Sequence, residues 1–363
     1  MSQKHDLNLN IELFDEKYQL IKKINKIINK ECYLVKAEND IKTVEKQIDI
    51  NYRKNEENLF QIRFNKNNTI KLDNQIIIKK KFQTKESLDF LDKKLWYIID
   101  SENCGYSLCE SDIIKIGDMK YIIHEISFIQ DNENNLNDEN KNIRPYYYKV
   151  PEIDNYKKCK FRIADNDAYN DDYNVCLCNC KNELIHFPCL KKYIKIEKSE
   201  NGKNTIKRYF TNNAYCKKCY TAFPIKFQLK GKNIFFDTIH IEKPTDSNYI
   251  ILESLGHKYE YENKNENGNE EKKIGYNKLV YVIKLDEDII KIGKNEKNDI
   301  VINDPSVGDE HAKIFFDKKN KKILLKNLSK DNNTFVLIKK DLEVNEKINK
   351  IKVRNIIVEA NLI

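Results

Sequence analysis

The chain has 363 residues, 40% of them hydrophobic and 34% charged, with a formal net charge of +8. That length suits two or three domains, each with its own core. With only 9 Gly and 6 Pro the chain is not low-complexity, and no apolar run is long enough to span a bilayer.

Met1 to Asn10 is polar and carries no secretory leader, so an intracellular, cytoplasmic protein is expected. Apolar residues at Phe14, Tyr18, Ile21, Ile24 and Ile28 have near-helical spacing. They predict an amphipathic helix over Ile11–Ile28, docked by one face, within an N-terminal arm of residues 1–31. From Cys32 to Ile129 the pattern becomes short and strand-like, as in Leu59–Phe64, Gln75–Lys79 and Leu95–Ile99. Glu110–Gly117 and Lys120–Glu125 read as two strands joined by a tight turn at Gly117-Asp118. His124 alternates with apolar residues there, which marks it as structural. These features give a β-rich domain over 32–130.

Asp131 to Asn142 is almost wholly Asp, Asn, Glu and Lys, so residues 131–155 read as a linker. A cysteine-rich segment occupies 156–230. Connecting strands, including Tyr249–Glu253, and a solvated loop over Glu260–Lys273 fill 231–275. The last block, 276–363, again alternates short strands with Asn and Asp turns: Val280–Ile283, Asp288–Ile292, Ile300–Ile302, Ala312–Phe316, Lys322–Leu325, Phe335–Ile338 and Arg354–Val358. The fold class predicted is mainly β with small α content (α+β), ending in a β-sandwich.

Lysines are spread along the chain and interleaved with Asp and Glu. That reads as a solvated surface rather than a basic stripe, so no nucleic-acid partner is expected. Seven of the ten cysteines lie between Cys159 and Cys219, and in a reducing compartment such clustering favours metal ligation over disulfides. Cys32, Cys104 and Cys109 are isolated and are expected as buried thiols. Zinc takes four soft ligands in a tetrahedron, commonly from two short hooks. Cys176-x-Cys178 and Cys216-x-x-Cys219 make one complete set, and His186-x-x-Cys189 is a third hook in need of a fourth ligand. The bland alternative, reduced buried thiols, leaves the ligand spacing unexplained.

The order Cys-x-Cys, His-x-x-Cys and Cys-x-x-Cys resembles the second part of a RING-CH (RING-variant) finger. His186–Ile194 and Tyr215–Pro224 look like that family's flanking segments. The resemblance implies interleaved sites. Cys176, Cys178, Cys216 and Cys219 would hold one zinc, and Cys159, His186 and Cys189 would form a second set. Arg162 stands where that second set's fourth ligand belongs, and a guanidinium cannot bind zinc. Cys180 is a substitute ligand to consider. RING-CH fingers usually act as ubiquitin ligases by docking a ubiquitin-loaded E2. The resemblance places Phe161, Tyr193 and Pro224 in the E2 groove.

Ile292-Gly-Lys, Asn298-Asp-Ile, His311-Ala and Asn332-Asn-Thr334 resemble the FHA domain, a β-sandwich whose apical loops bind phosphothreonine peptides. By that resemblance Lys294 replaces the family's phosphopeptide-contacting Arg and loses its bidentate fork. Gly308 replaces the phosphate-binding Ser, and Asp309 replaces the neighbouring Arg with the opposite charge. Asn332 and Thr334 stand at family positions, and His311 is carried over as structural. Proteins frequent in ciliates join a RING-CH finger to a following FHA domain and often carry an FHA-like segment ahead of it. Residues 32–130 resemble that segment in degenerate form.

With working positions lost in both modules, the sequence reads as a non-catalytic, zinc-binding scaffold. It would bind protein partners, plausibly inside a large structural complex such as a cytoskeletal or ciliary assembly, with phosphopeptide binding weak or absent. The alternative is a RING-type E3 ubiquitin ligase whose FHA domain selects a phosphorylated substrate.

Overall fold

The computed structural model describes residues 7–14, 20–28, 32–37, 40–44, 56–64, 70–73, 95–99, 105–129, 148–150, 174–175, 177, 185–200, 205–211, 213–216, 222–229, 235–255, 257–264, 270–285, 289–330, 333–338, 342–343, 350–353 and 356–362. They are overwhelmingly strand, with a single helix, Phe187–Tyr193, among them. The chain divides into two compact units. One holds residues 1–81, 88–104 and 333–363, and the other holds 82–87 and 105–332.

In the first unit, Leu7–Phe14 and Leu20–Ile28 form an antiparallel hairpin, not the expected helix. The reason is visible in retrospect. Leu7, Leu9, Ile11 and Leu13 alternate strictly with Asn8, Asn10 and Glu12, which is a period of two. Ile11 pairs in register with Ile24 on one side and Val358 on the other, and is buried. The β-branched Ile-rich second strand also packs well on a pleated surface. Ile356–Leu362 continues this sheet to Lys350–Val353, then Leu95–Ile99, then Thr334–Leu337. A second sheet joins Asp40–Val44, Cys32–Ala37, Glu56–Phe64, Ile70–Asp73 and Leu342–Glu343 in that order. Gln75–Lys79 and Cys104 lie outside the described residues, as does the Asp131–Asn142 linker.

The second unit has two larger sheets. The first runs Glu197–Glu200, Ile206–Thr211, Glu270–Lys284, Tyr249–Ser254, Met119–Ser127, Ile113–Ile116. The second runs Ile300–Val301, Ile289–Gly293, Ala312–Asp317, Lys322–Asn327, Tyr106–Ser107. All six residues of Tyr249–Ser254 are buried. A strand covered on both faces reads as a continuous apolar run rather than an alternation, as Tyr-Ile-Ile-Leu does. On one side Ile251, Val280 and Val282 join a core with Leu190, Phe223 and Phe227 of the cysteine segment. On the other side Ile250 and Leu252 are equally buried. Phe128 beyond the Met119–Ser127 strand stacks on Phe316, with ring centroids 5.5 Å apart.

Two further expectations are corrected. Glu260–Lys273 is not a loop throughout: His257–Lys264 and Glu270–Lys284 pair as a hairpin, with Glu262 in register with Lys272. Tyr259 and Tyr261, then Ile274 and Tyr276, alternate with polar residues, so a polar average hid a period of two. Cys109 is exposed, not buried. It sits in a turn in which its N–H donates to Asp112 Oδ2 at 2.8 Å and Ser111 adopts φ 70°.

The turn expected at Gly117-Asp118 is present. Gly117 has φ +60°, and a Cβ there would lie 2.5 Å from Ser306 Oγ. The Asp118 N–H donates to the same Ser306 Oγ at 2.7 Å. Gly117→Ala is therefore expected to destabilise this unit by about 1–3 kcal/mol. Chemical denaturation checks it, and an unchanged midpoint would refute the close contact.

Candidate functional site

The loops after Ile289–Gly293 and Ile300–Val301 meet at Gly293. A Cβ on Gly293 would fall 2.2 Å from the Asp309 carbonyl oxygen, so only glycine permits this approach. The backbone then locks. Lys294 N–H donates to the Gly308 carbonyl at 2.9 Å, and Asn295 N–H to that of Asp309 at 3.2 Å. Asn298 Nδ2, from a buried side chain, donates to the carbonyls of Asn295 (2.7 Å) and Asp309 (2.6 Å). His311 is fully buried, and its Nδ1 accepts the Gly308 N–H at 3.0 Å. That bond assigns the neutral ring's proton to Nε2.

Lys294 is exposed at the loop rim, as are Asp309 and Glu310. At the Gly308 rim the loops thus offer the Lys294 ammonium and no hydroxyl at position 308, beside the carboxylates of Asp309 and Glu310. The Gly308 N–H, a donor suited to an anion, is turned inward to His311. Thr334 belongs to the other unit, where it is fully buried at the start of Thr334–Leu337. Asn332 lies outside the described residues.

In the cysteine segment, Asn174–Val175 pairs with Ile185–His186 and closes the loop that carries Cys176, Cys178 and Cys180. Tyr215 bridges Ala222, and Phe223 N–H donates to the Ala214 carbonyl at 2.8 Å, closing the loop that carries Cys216 and Cys219. Phe187–Tyr193 follows directly. Pro188 suits a first helical turn, and Lys191 and Lys192 suit the last. Cys189 and Cys216 are buried. Phe187, Phe227 and Phe236 form an aromatic triangle with centroids 4.8–5.7 Å apart. Tyr193 is half-buried, and its carbonyl accepts Asn213 Nδ2. Pro224 is buried, and its carbonyl accepts Thr238 Oγ1. Cys159, Phe161, Arg162, Cys176, Cys178, Cys180 and Cys219 lie outside the described residues. Among the described residues no three His, Cys, Asp or Glu side chains are grouped to hold a metal.

Sequence reasoning missed the seam between this segment and the first sheet. Glu253 and Lys278, on adjacent strands, form an ion pair with side chains only 6% and 4% exposed. Lys278 Nζ also donates to the Phe223 carbonyl, and Glu253 Oε1 accepts the Ile225 N–H at 3.3 Å. His124 Nδ1 lies 3.4 Å from Glu253 Oε2. Burial alone would raise the Glu253 pKa, but Lys278 and His124 outweigh it and hold it down, from an ordinary 4.5 to about 2. Nearby, Glu125 accepts both Lys243 Nζ and the Tyr249 hydroxyl at 2.6 Å. Burial and that carboxylate push Tyr249 up to about 12. One signal pointed to the seam: a Glu closing the apolar run Tyr249–Leu252 needs a partner if it is buried.

Residues 290–355 match the family model of the FHA domain. The match covers Gly293, Lys294, Asn298, Gly308 and His311, and continues past the division between the two units. It assigns that part of the chain a protein-interaction role of the kind FHA domains perform, typically through phosphopeptides. No match was found among curated proteins or solved structures. Among the described residues no helix is long and apolar enough to cross a membrane.

Two outcomes are expected at the seam. Lys278→Met should cost about 3–5 kcal/mol, because it leaves a buried carboxylate unpaired, while Glu253→Gln with Lys278→Met should recover part of the loss. Urea unfolding of the three proteins checks this. The folded-state pKa of Glu253 is depressed, so its contribution is present above pH 4.5 and is lost as pH falls towards about 2. Glu253→Gln should flatten the acid side of the stability profile across that window.

Proposed function

We propose that this protein is a non-catalytic scaffold for protein partners, built from a zinc-held, RING-CH-like module seated on an FHA-type sandwich. The observation that carries the reading is the chemistry at Gly308 and Asp309. The loop frame of the sandwich is kept by Gly293, Asn298 and His311, while position 308 lacks a hydroxyl and the exposed Asp309 and Glu310 carboxylates follow it. The Asp309 and Glu310 carboxylates next to a doubly charged phosphate oppose binding, and Lys294 provides a point charge without a bidentate fork.

In this reading Cys176, Cys178, Cys216 and Cys219 hold a structural zinc. Two short antiparallel pairings that close the cysteine loops, and the burial of Cys216, support it. A closed four-thiolate site contributes folding energy and supplies no open position for catalysis. Cys159, His186 and Cys189 are a second set short of one ligand, which Cys180 would have to fill. Pro224 is buried, so it offers little surface to an E2, and this favours the scaffold over a ligase.

Native mass spectrometry, a phosphothreonine-peptide array and an E2-dependent autoubiquitination assay on the full chain test the proposal together. The scaffold reading expects a single zinc, no preference for phosphorylated over unphosphorylated peptides, and no ubiquitin transfer. Two zincs with E2-dependent transfer would replace it with the ligase reading.

A further inference from the structure

The outer face of the sheet Ile300–Val301, Ile289–Gly293, Ala312–Asp317, Lys322–Asn327, Tyr106–Ser107 has an unusual register. Lys291 pairs with Lys313, and Lys313 with Lys326, so three lysines stand side by side on adjacent strands. The next row along is apolar: Ile289 pairs with Phe315, and Phe315 with Leu324. The alternating burial of these strands puts both rows outward and Ile290, Ile314, Ile323 and Leu325 inward. Ile289 is 44% exposed, and Lys313 lies over the Phe315 ring at 5.6 Å.

Like charges directly opposite one another destabilise a sheet. The neighbouring carboxylates relieve this only at one end. Lys291 Nζ reaches Glu310 at 3.3 Å, and its N–H donates to Asp299 at 2.8 Å. Asp317 is engaged in its own turn, where it accepts from Lys319, Asn320 N and Asn320 Nδ2. Among the described residues Lys313 and Lys326 have no acidic partner. A cation–π contact from Lys313 to Phe315 offsets only part of this, and a local rule broken without a compensating carboxylate points to functional surface.

We infer that this face docks an acidic, apolar-bearing segment of a protein partner, with carboxylates on the Lys291–Lys313–Lys326 row and aliphatic side chains on the Ile289–Phe315–Leu324 row. Adjacent strands lie about 4.8 Å apart, so the cationic row is about 10 Å long and matches two or three carboxylates of an extended chain. A second copy of this chain is a poor occupant, because its net charge is +8. Nucleic acid would need exposed aromatic platforms for its bases, whereas the single aromatic of the row, Phe315, is half-buried with Lys313 over its ring, and Ile289 and Leu324 are aliphatic. An anionic lipid surface would need bulky apolar side chains that penetrate it, and Phe315 and Leu324 are half-buried. The inference is independent of the phosphopeptide loops and of zinc.

Fluorescence anisotropy of the full chain with a labelled peptide of repeated Glu-Leu, and with its Lys-Leu counterpart, tests the proposal. The Glu-Leu peptide should bind and the Lys-Leu peptide should not. Lys313→Glu with Lys326→Glu should weaken binding on the order of tenfold, and Lys313→Gln with Lys326→Gln should weaken it less, in the same direction. Lys318→Glu with Lys319→Glu, which makes the same charge change in the adjacent turn, should leave it within about twofold. Absence of binding overturns the proposal, as does equal loss in the face and turn variants. Preference for phosphatidylserine vesicles or single-stranded DNA over the peptide would also overturn it and assign the face to that ligand.

Discussion

Glu253 and Lys278 form an ion pair almost without access to water, and much of the second unit is arranged around keeping it paired. Removing two charges from water costs several kcal/mol per ion, and only good geometry with further hydrogen bonds repays that cost. Here those bonds come from outside the sheet. The Phe223 carbonyl accepts from Lys278, and the Ile225 N–H donates to Glu253. Both residues follow the Cys216–Cys219 loop directly in sequence. The cysteine segment therefore cannot lift away without leaving a charge pair short of partners.

That constraint explains the layered build. Tyr249–Ser254 is buried on both faces, and on one of them Tyr249 and Ile251 share a core with Leu190, Phe223 and Phe227. Ile206–Thr211, which lies between Cys189 and Cys216 in the chain, extends the same sheet by pairing with residues 278–283. Tyr209 adds to the shared core, and its hydroxyl accepts the Glu242 N–H at 3.0 Å. A module joined by a sheet extension, a common core and a buried ion pair serves better as a rigid bracket than as a mobile domain. That suits a scaffold that presents surfaces at fixed positions.

Legibility in the sequence followed the range of the interaction. The strands Ile113–Ile116, Tyr249–Ser254 and Ala312–Asp317 were visible because burial leaves a local apolar pattern. The turn at Gly117 was visible because one residue type meets its φ. The Gly293 and His311 loop frame was legible through a family resemblance, and the FHA match covers both residues. Leu7–Phe14 was misread because the window began at Ile11 and sampled too little of its period of two. His257–Lys264 was missed because average polarity hid its alternation, and Cys109 because an isolated thiol carries no signal of the turn that exposes it. The seam was missed for a different reason: Glu253 at the end of an apolar run signalled a need for a partner but could not name one. His124, Phe223, Glu253 and Lys278 are far apart in the chain, and only the strand order brings them together.

The shared core and the buried ion pair require the cysteine segment and the sheet beneath it to unfold as one body. Hydrogen–deuterium exchange of the full chain tests it most directly. Amides of Lys226–Leu229 in the cysteine segment and of Val280–Ile283 in the sheet should open together, with protection within about tenfold of each other. Exchange of Lys226–Leu229 that is orders of magnitude faster, with Val280–Ile283 still protected, would show that the two open independently.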